Sequence, residues 1–195
     1  PSIPLETGQT TILKGMVRDA ISGQPVAARI EIVDNNTHQI IGVYKSNSKT
    51  GKYLVSLPSG RNYGITVDSD STLFYSENMD IPLSEAYNEI QKDINLSKIE
   101  IGSTIVLKNV FFDSRKSKLR LESVPELRRL IGIMKEHPKM KVEISGHTDN
   151  VGDENYNLKL SKERASSVVS FLVDNGIEQS RLSSVGYGFS KPVAS

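Results

Sequence analysis

Cysteine is absent from the chain. Its absence excludes disulfide frameworks, thiolate metal sites and cysteine nucleophiles, although it fixes no compartment. An excess of one charge is also lacking. There are 24 Lys+Arg against 23 Asp+Glu, a formal net charge of +1, whereas a nucleic-acid binder needs a basic face to neutralise phosphates. The imbalance between the halves names no partner: 9 basic against 11 acidic residues up to Lys98, and 15 against 12 beyond it. No apolar run approaches the roughly 20 residues that cross a bilayer. The chain opens at Pro1 without an initiator Met or a leader-like segment, as expected of a piece of a longer precursor. His38, His137 and His147 lie far apart and form no metal-ligand pair. No Gly-x-Ser-x-Gly elbow occurs, and no zinc pair of His and Glu. The residues therefore argue against a hydrolase or transpeptidase.

What is present is ordinary for folded protein: 37% hydrophobic and 24% charged residues over 195 positions, enough for one large domain or two small ones. Thr10–Arg18, Val26–Val33, Gln39–Lys45, Lys52–Leu57 and Asn62–Asp68 read as short strands. Period-two alternation is clear in Arg29-Ile30-Glu31-Ile32 and in Tyr63-Gly64-Ile65-Thr66-Val67. The breaks carry turn chemistry, as in Ser22-Gly23-Gln24-Pro25, Asp34-Asn35-Asn36 and Pro58-Ser59-Gly60. Such spacing predicts a small antiparallel sandwich over residues 1–80. Residues 81–100, polar through Glu85, Glu89 and Lys92, read as a linker.

Beyond it the pattern changes. Thr104–Phe112 is a β-rich run. A helix is predicted from Ser123, with Pro125 at an early position where its missing N–H costs nothing. Val124, Leu127, Ile131 and Met134 fall on one face, and His137-Pro138 stops it. Lys141–Ser145 alternates as a strand. A second helix is predicted over Ser161–Asp174 and ends at Asn175-Gly176. Arg181–Gly186 reads as a last strand. The order β-α-β-α-β predicts an α/β layer over 101–195, so the whole chain is α+β with two domains.

The chemistry gathers around Gly146-His147-Thr148-Asp149-Asn150, a polar loop at the C-terminal end of a strand, where α/β layers commonly hold ligands. Fifteen residues beyond Asp149, Arg164 is placed in the first turn of the second helix, where free N–H groups favour carboxylates and a guanidinium adds a two-pronged clamp. An acid and an arginine so placed suit a zwitterion. On spacing alone the pair reads more readily as a salt bridge joining loop to helix. His147 reads as a loop histidine making a structural hydrogen bond. The spacing of Asp149, Asp153 and Glu154 does not match an EF-hand. Lys191 stands where a dinucleotide fingerprint beginning at Gly186-Tyr187-Gly188 needs its third glycine. Arg115, Lys116, Lys118 and Arg120 form a basic run that reads as a solvated loop, able also to attract an anionic polymer.

Four motifs follow one another in order: Phe111-Phe112-Asp113, the Gly146–Asn150 loop, Asn157-x-x-Leu160-Ser161-x-x-Arg164-Ala165, and Gly186-Tyr187-Gly188 with Pro192. In this order they resemble the OmpA-like C-terminal domain, the family of the peptidoglycan-associated lipoprotein and of flagellar stator tails. The resemblance covers about Ile105 to Pro192. It implies helices on a mixed sheet and non-catalytic binding of the diaminopimelate of the peptidoglycan stem peptide, with no cofactor and no metal. Asp149 would pair with the ammonium of diaminopimelate and Arg164 with a carboxylate. Phe112 and Asp113 would line the pocket, the Asp113 N–H being offered to the ligand. Leu160 would give a backbone N–H beside the helix start, Asn157 would brace the loop, and Thr148 and Ser161 would shape and cap the site. Family members continue past the proline into a helix and a final strand containing Asn-Arg-Arg. An end at Ser195 is expected to mean either a cut chain or a continuation beyond it, and a sheet without that edge strand.

The first half resembles the carboxypeptidase regulatory-like (transthyretin-like) sandwich through Thr11-Ile12-Leu13-Lys14-Gly15-Met16-Val17-Arg18-Asp19, Ser22-Gly23-Gln24-Pro25-Val26-Ala27, and Thr50-Gly51-Lys52-Tyr53 followed by Leu57-Pro58-Ser59-Gly60. The resemblance implies a spacer or docking role. The pairing is similar to periplasmic proteins of the Bacteroidetes kind, some of which anchor type IX secretion machinery to the wall. It implies a periplasmic, outer-membrane-associated location and contacts with outer-membrane or secretion proteins.

Overall fold

The computed structural model describes residues 10–70, 72–83 and 87–191, so Pro1, Glu85 and Pro192 lie outside the described residues. The chain divides into two compact units, Pro1–Lys108 and Asn109–Ser195.

Among its described residues the first unit holds eight strands: β1 (Thr10–Asp19), β2 (Arg29–Asp34), β3 (Gln39–Lys45), β4 (Lys52–Pro58), β5 (Arg61–Asp68), β6 (Tyr75–Ile81), β7 (Asn88–Gln91) and β8 (Ile94–Leu96). One sheet runs β4-β1-β7, with β8 also paired to β1; the other runs β3-β2-β5-β6. Alternation decides which side chains go in. In β4, Tyr53, Val55 and Leu57 are buried while Lys52, Leu54 and Ser56 are exposed. Leu13, Val17, Val55, Leu57, Ile94 and Leu96 from the first sheet join Ile30, Ile32, Tyr63, Ile65, Val67 and Ile81 from the second in one core.

Two expectations are corrected here. Residues 81–100 do not run as a bare linker, because β7 and β8 lie within them and pair with β1. The polarity is one face only: Ile94 and Leu96 carry the inward side with an exposed residue between them. The first sheet is also not purely antiparallel, since β7 and β8 run parallel to β1 while β4 is antiparallel.

The second unit holds a 3-10 turn (Leu121–Ser123), α1 (Val124–Glu136), β9 (Val142–Gly146), α2 (Glu154–Asp174), a 3-10 turn (Gln179–Arg181) and β10 (Leu182–Gly186). β9 and β10 pair in parallel, and α2 packs on both. Among the described residues this sheet is two parallel strands, not the expected mixed sheet. The difference lies at Thr104–Phe112, which forms no strand. Its main-chain groups are taken by side chains instead. The Asn109 N–H donates to Glu126 Oε1 at 3.1 Å, and the Phe111 N–H donates to Ser123 Oγ at 2.8 Å. The hydroxyl of Ser123 donates back to the Phe111 carbonyl at 3.2 Å. Ser123 therefore occupies the N-cap position of α1 without capping it.

Leu127, Leu130, Ile131 and Met134 bury the inner face of α1. Its C-terminal carbonyls, which no helical N–H can reach, are gathered by Arg181. Nη2 donates to Met134 O at 2.6 Å and His137 O at 2.9 Å, and Nε to Met140 O at 2.9 Å. Among the described residues no helix is long and apolar enough to cross a membrane, which says nothing of a β-barrel.

Buried carboxylates in the first unit are compensated, as in Glu31 with Arg29 and Asp34 with Arg61. The fully buried Asp34 is raised by burial, but hydrogen bonds from Arg61 Nη1 at 2.8 Å and from the N–H groups of Asn36 and Thr37 outweigh this and hold it below its ordinary value. Its stabilisation is then complete above the ordinary carboxylate value of 3.8 and is lost as pH falls through the depressed one. Asp34→Ala is expected to lower the unfolding free energy at pH 7 by about 1–3 kcal/mol. In urea titrations this deficit should hold down to pH ~4 and shrink below it.

Candidate functional site

The strands and α2 approach each other closely at one point. A Cβ on Gly146 would lie 2.1 Å from the Ser161 carbonyl oxygen, and one on Gly186 would lie 2.4 Å from the Lys162 nitrogen. The two glycines pair across the sheet. Only residues without side chains let both strands end against the helix backbone. Ser161 completes the joint: its Oγ donates to Leu158 O at 2.9 Å and accepts the Gly188 N–H at 2.9 Å.

From this joint the candidate loop emerges. The Tyr187 N–H donates to Gly146 O and the Thr148 N–H to Gly188 O, each at 2.9 Å, so the loops after β9 and β10 are laced together. His147 stacks on Tyr187, centroids 5.4 Å apart, and its Nδ1–H donates to Lys191 O at 2.6 Å. Asp149 is exposed, its Oδ1 accepting, among the described residues, only the Val151 N–H, at 3.4 Å. Buried Asn157 takes the other side of Val151, donating Nδ2 to its carbonyl at 2.9 Å.

Arg164 meets a different segment. Its guanidinium carbon lies 5.0 Å from the centroid of the Phe112 ring. Nε donates to Lys116 O at 3.1 Å and Nη2 to Asp113 O at 3.5 Å. The Asp113 carboxylate is exposed, 3.4 Å from Lys116 Nζ and 4.0 Å from Arg120 Nε. Phe112, Asp113 and Arg164 are thus brought together, as are Asp149 and Asn157 through Val151. Among the described residues no ion pair joins Asp149 to Arg164.

Two placements differ from the sequence reading. α2 begins at Glu154, because Asp153 caps it by accepting the Tyr156 N–H at 2.8 Å. Arg164 therefore lies about 15 Å along the helix from its first residue, beyond the first turn where the dipole acts. For the same reason Leu160 is a buried interior residue whose N–H falls within the helical ladder, not a free donor beside the helix start. Sequence reasoning also missed Lys116 and Val151, which enter through their main-chain atoms. Side-chain patterns carry no signal for such roles.

Nothing in this arrangement aligns a nucleophile with a base, and among the described residues no cluster of three or more His, Cys, Asp or Glu is placed to hold a metal. An exposed carboxylate and a carbonyl-held guanidinium can grip opposite charges of a ligand.

Residues 111–195 match the model of the OmpA family, so this segment is an OmpA-like domain. The chain is 48% identical over 86 residues to the photosystem I P700 chlorophyll a apoprotein A2 of Gloeobacter violaceus, covering 44% of this chain and 10% of that protein. It is 44% identical over 87 residues to outer membrane porin F of Pseudomonas aeruginosa, covering 44% of this chain and 25% of that one. It is 32% identical over 108 residues to the peptidoglycan-associated lipoprotein of Buchnera aphidicola, covering 55% of this chain and 60% of that one. The chain spans a quarter or less of the length of the first two, so the likeness concerns one shared segment and not those whole proteins.

The glycine joint gives a direct test. Gly146→Ala is expected to cost about 1–3 kcal/mol by overpacking, and Arg181→Ala a similar amount through lost charge-assisted bonds to carbonyls. Urea unfolding followed by circular dichroism measures both. A neutral Gly146→Ala would mean that the joint is loose.

Proposed function

We propose that the second unit binds peptidoglycan non-covalently through the diaminopimelate of the stem peptide, and so anchors an envelope protein or secretion complex to the cell wall. The observation that carries this reading is a pair of charges that do not cancel. Asp149 has no cation partner among the described residues, and Arg164 is held by main-chain carbonyls and a ring rather than by a carboxylate. Asp149 would take the ammonium and Arg164 a carboxylate. Phe112 and Asp113 would line the pocket, the latter with its N–H toward the ligand, and Asn157 would hold the loop through Val151. Leu160 would serve through packing. The likeness to an outer-membrane porin and to a lipoprotein named for its association with peptidoglycan supports this reading, and with it a periplasmic place beside the outer membrane.

The rival reading is a ligand-free structural domain tied by an Asp149–Arg164 salt bridge; among the described residues that ion pair is not made, which favours the binding reading over it. The first unit, two sheets over one core, is proposed as a carboxypeptidase regulatory-like (transthyretin-like) spacer or docking domain toward outer-membrane or type IX secretion partners. One residue-sized zwitterion gives modest affinity, so firm attachment would come from many copies on one mesh.

Co-sedimentation with insoluble peptidoglycan tests the proposal. The wild-type chain should pellet with diaminopimelate-type wall. Asp149→Ala and Arg164→Ala should bind at least about tenfold more weakly with unchanged circular dichroism, the scale of one lost charge-assisted bond. Wall with lysine in the same position, which lacks the extra carboxylate, should bind poorly. A wild-type chain that stays in the supernatant overturns the reading, and equal binding to both walls removes the diaminopimelate specificity.

A further inference from the structure

The outer edge of β4 in the first unit is built for pairing and has no partner among the described residues. β4 is the terminal strand of its sheet. The Val17 N–H donates to Gly51 O, so Gly51 and the alternate residues after it turn their main-chain groups toward β1. The Lys52 carbonyl, on the opposite side, accepts the Asn47 N–H. Leu54 and Ser56 share the orientation of Lys52. Among the described residues their N–H and C=O groups have no partner. The register with β1 runs without a bulge. The β3 edge of the other sheet is different, because a register shift at Ile32/Val33 disturbs its pairing, a common way to blunt an edge.

The side chains along β4 select what could pair there. Leu54 is 62% exposed. It borders a cleft of about 570 Å³ on the outer sheet face, lined also by Met16, Lys14, Lys45, Lys52 and Asp93. The cleft's own acid is engaged, since Asp93 accepts the Met16 N–H at 2.9 Å, and Lys14 is paired with Glu89. Lys45, Lys49 and Lys52, around the turn into β4, have no carboxylate within ion-pair distance among the described residues. The free edge, apolar floor and uncompensated lysines occur at one place.

We infer that the β4 edge accepts an extended acidic segment of a partner protein as an added strand. Main-chain bonds at Leu54 and Ser56 would supply the pairing. Side chains of the added strand two residues apart would fall on the outer face, an acid opposite Lys52 and an apolar residue opposite Leu54. A second copy of the chain fits worse, because it would bring the same uncompensated lysines to the edge.

The test is titration of the isotope-labelled 195-residue chain with a short synthetic peptide of Asp-Thr-Val-Thr repeats, which places Asp and Val two residues apart on one face. Saturable amide shifts are expected at residues 52–56. The double variant Lys45→Glu, Lys52→Glu should bind on the order of tenfold more weakly. Ser56→Pro removes an edge N–H that the folded sheet does not use, which edge strands tolerate, and should abolish binding. A peptide N-methylated at alternate residues makes the same test with the protein untouched, and should not bind. Equal affinity for the same peptide with Lys in place of Asp, retained binding after N-methylation, or a peptide-free dimer with shifts at 52–56 would each overturn the inference.

Discussion

The second unit depends on one close approach, the backbone of α2 at Ser161–Lys162 laid against the glycine ends of β9 and β10. Any side chain at Gly146 or Gly186 would enter space already filled by main-chain atoms. With the strands fixed there, the loops that leave them start from a defined place and lace together through Thr148, Tyr187, Gly188 and the Ser161 hydroxyl. A loop anchored at its root can present an exposed carboxylate without being buried itself. Preorganisation of this kind saves the ordering cost that a floppy loop would meet on binding.

The first unit was legible where one face alternated. β3 matches its expected bounds, and β1, β4 and β5 lie within a residue of theirs. β7 and β8 were missed because they are short and their inward residues sit among charges. Ile94 and Leu96 are too few to set a period, and their burial follows from pairing with β1, a contact distant in sequence. The β-rich look of Thr104–Phe112 failed for the opposite reason. Its local pattern favours a strand, but Glu126 and Ser123, more than ten residues away, claim the N–H groups that a ladder would need.

The site was legible in its residue types but not in its geometry. The spacing of Asn157, Leu160, Ser161 and Arg164 places them on a helix. It does not reveal where that helix starts. Asp153 settles that by capping, which moves the helix start back two turns and takes Arg164 out of reach of the dipole. What replaces the dipole argument is the ring of Phe112 and the carbonyls of Asp113 and Lys116. Carbonyl oxygens orient a guanidinium without neutralising it. The direction of Arg164 is therefore fixed without a compensating negative charge, which a carboxylate partner would have brought.

The same distinction sorts the carboxylates of the whole chain. Asp34 is buried and answered by Arg61 and two N–H groups. Glu77 is raised by burial, yet Tyr75, Lys92 and Lys108 hold it below its ordinary value. Glu126 is buried and takes both the N–H and the side-chain amide of Asn109. Each serves the fold, because a buried carboxylate without such partners would cost several kcal/mol. Asp149 belongs to none of these classes. It is exposed, accepts one long hydrogen bond, and sits on a loop held by the main-chain groups of Thr148 and Val151. A fold has no need of such a carboxylate for its own stability, since exposed charges contribute roughly 0–1 kcal/mol. Its position on an anchored loop would suit the proposed pairing with a cationic group of a ligand.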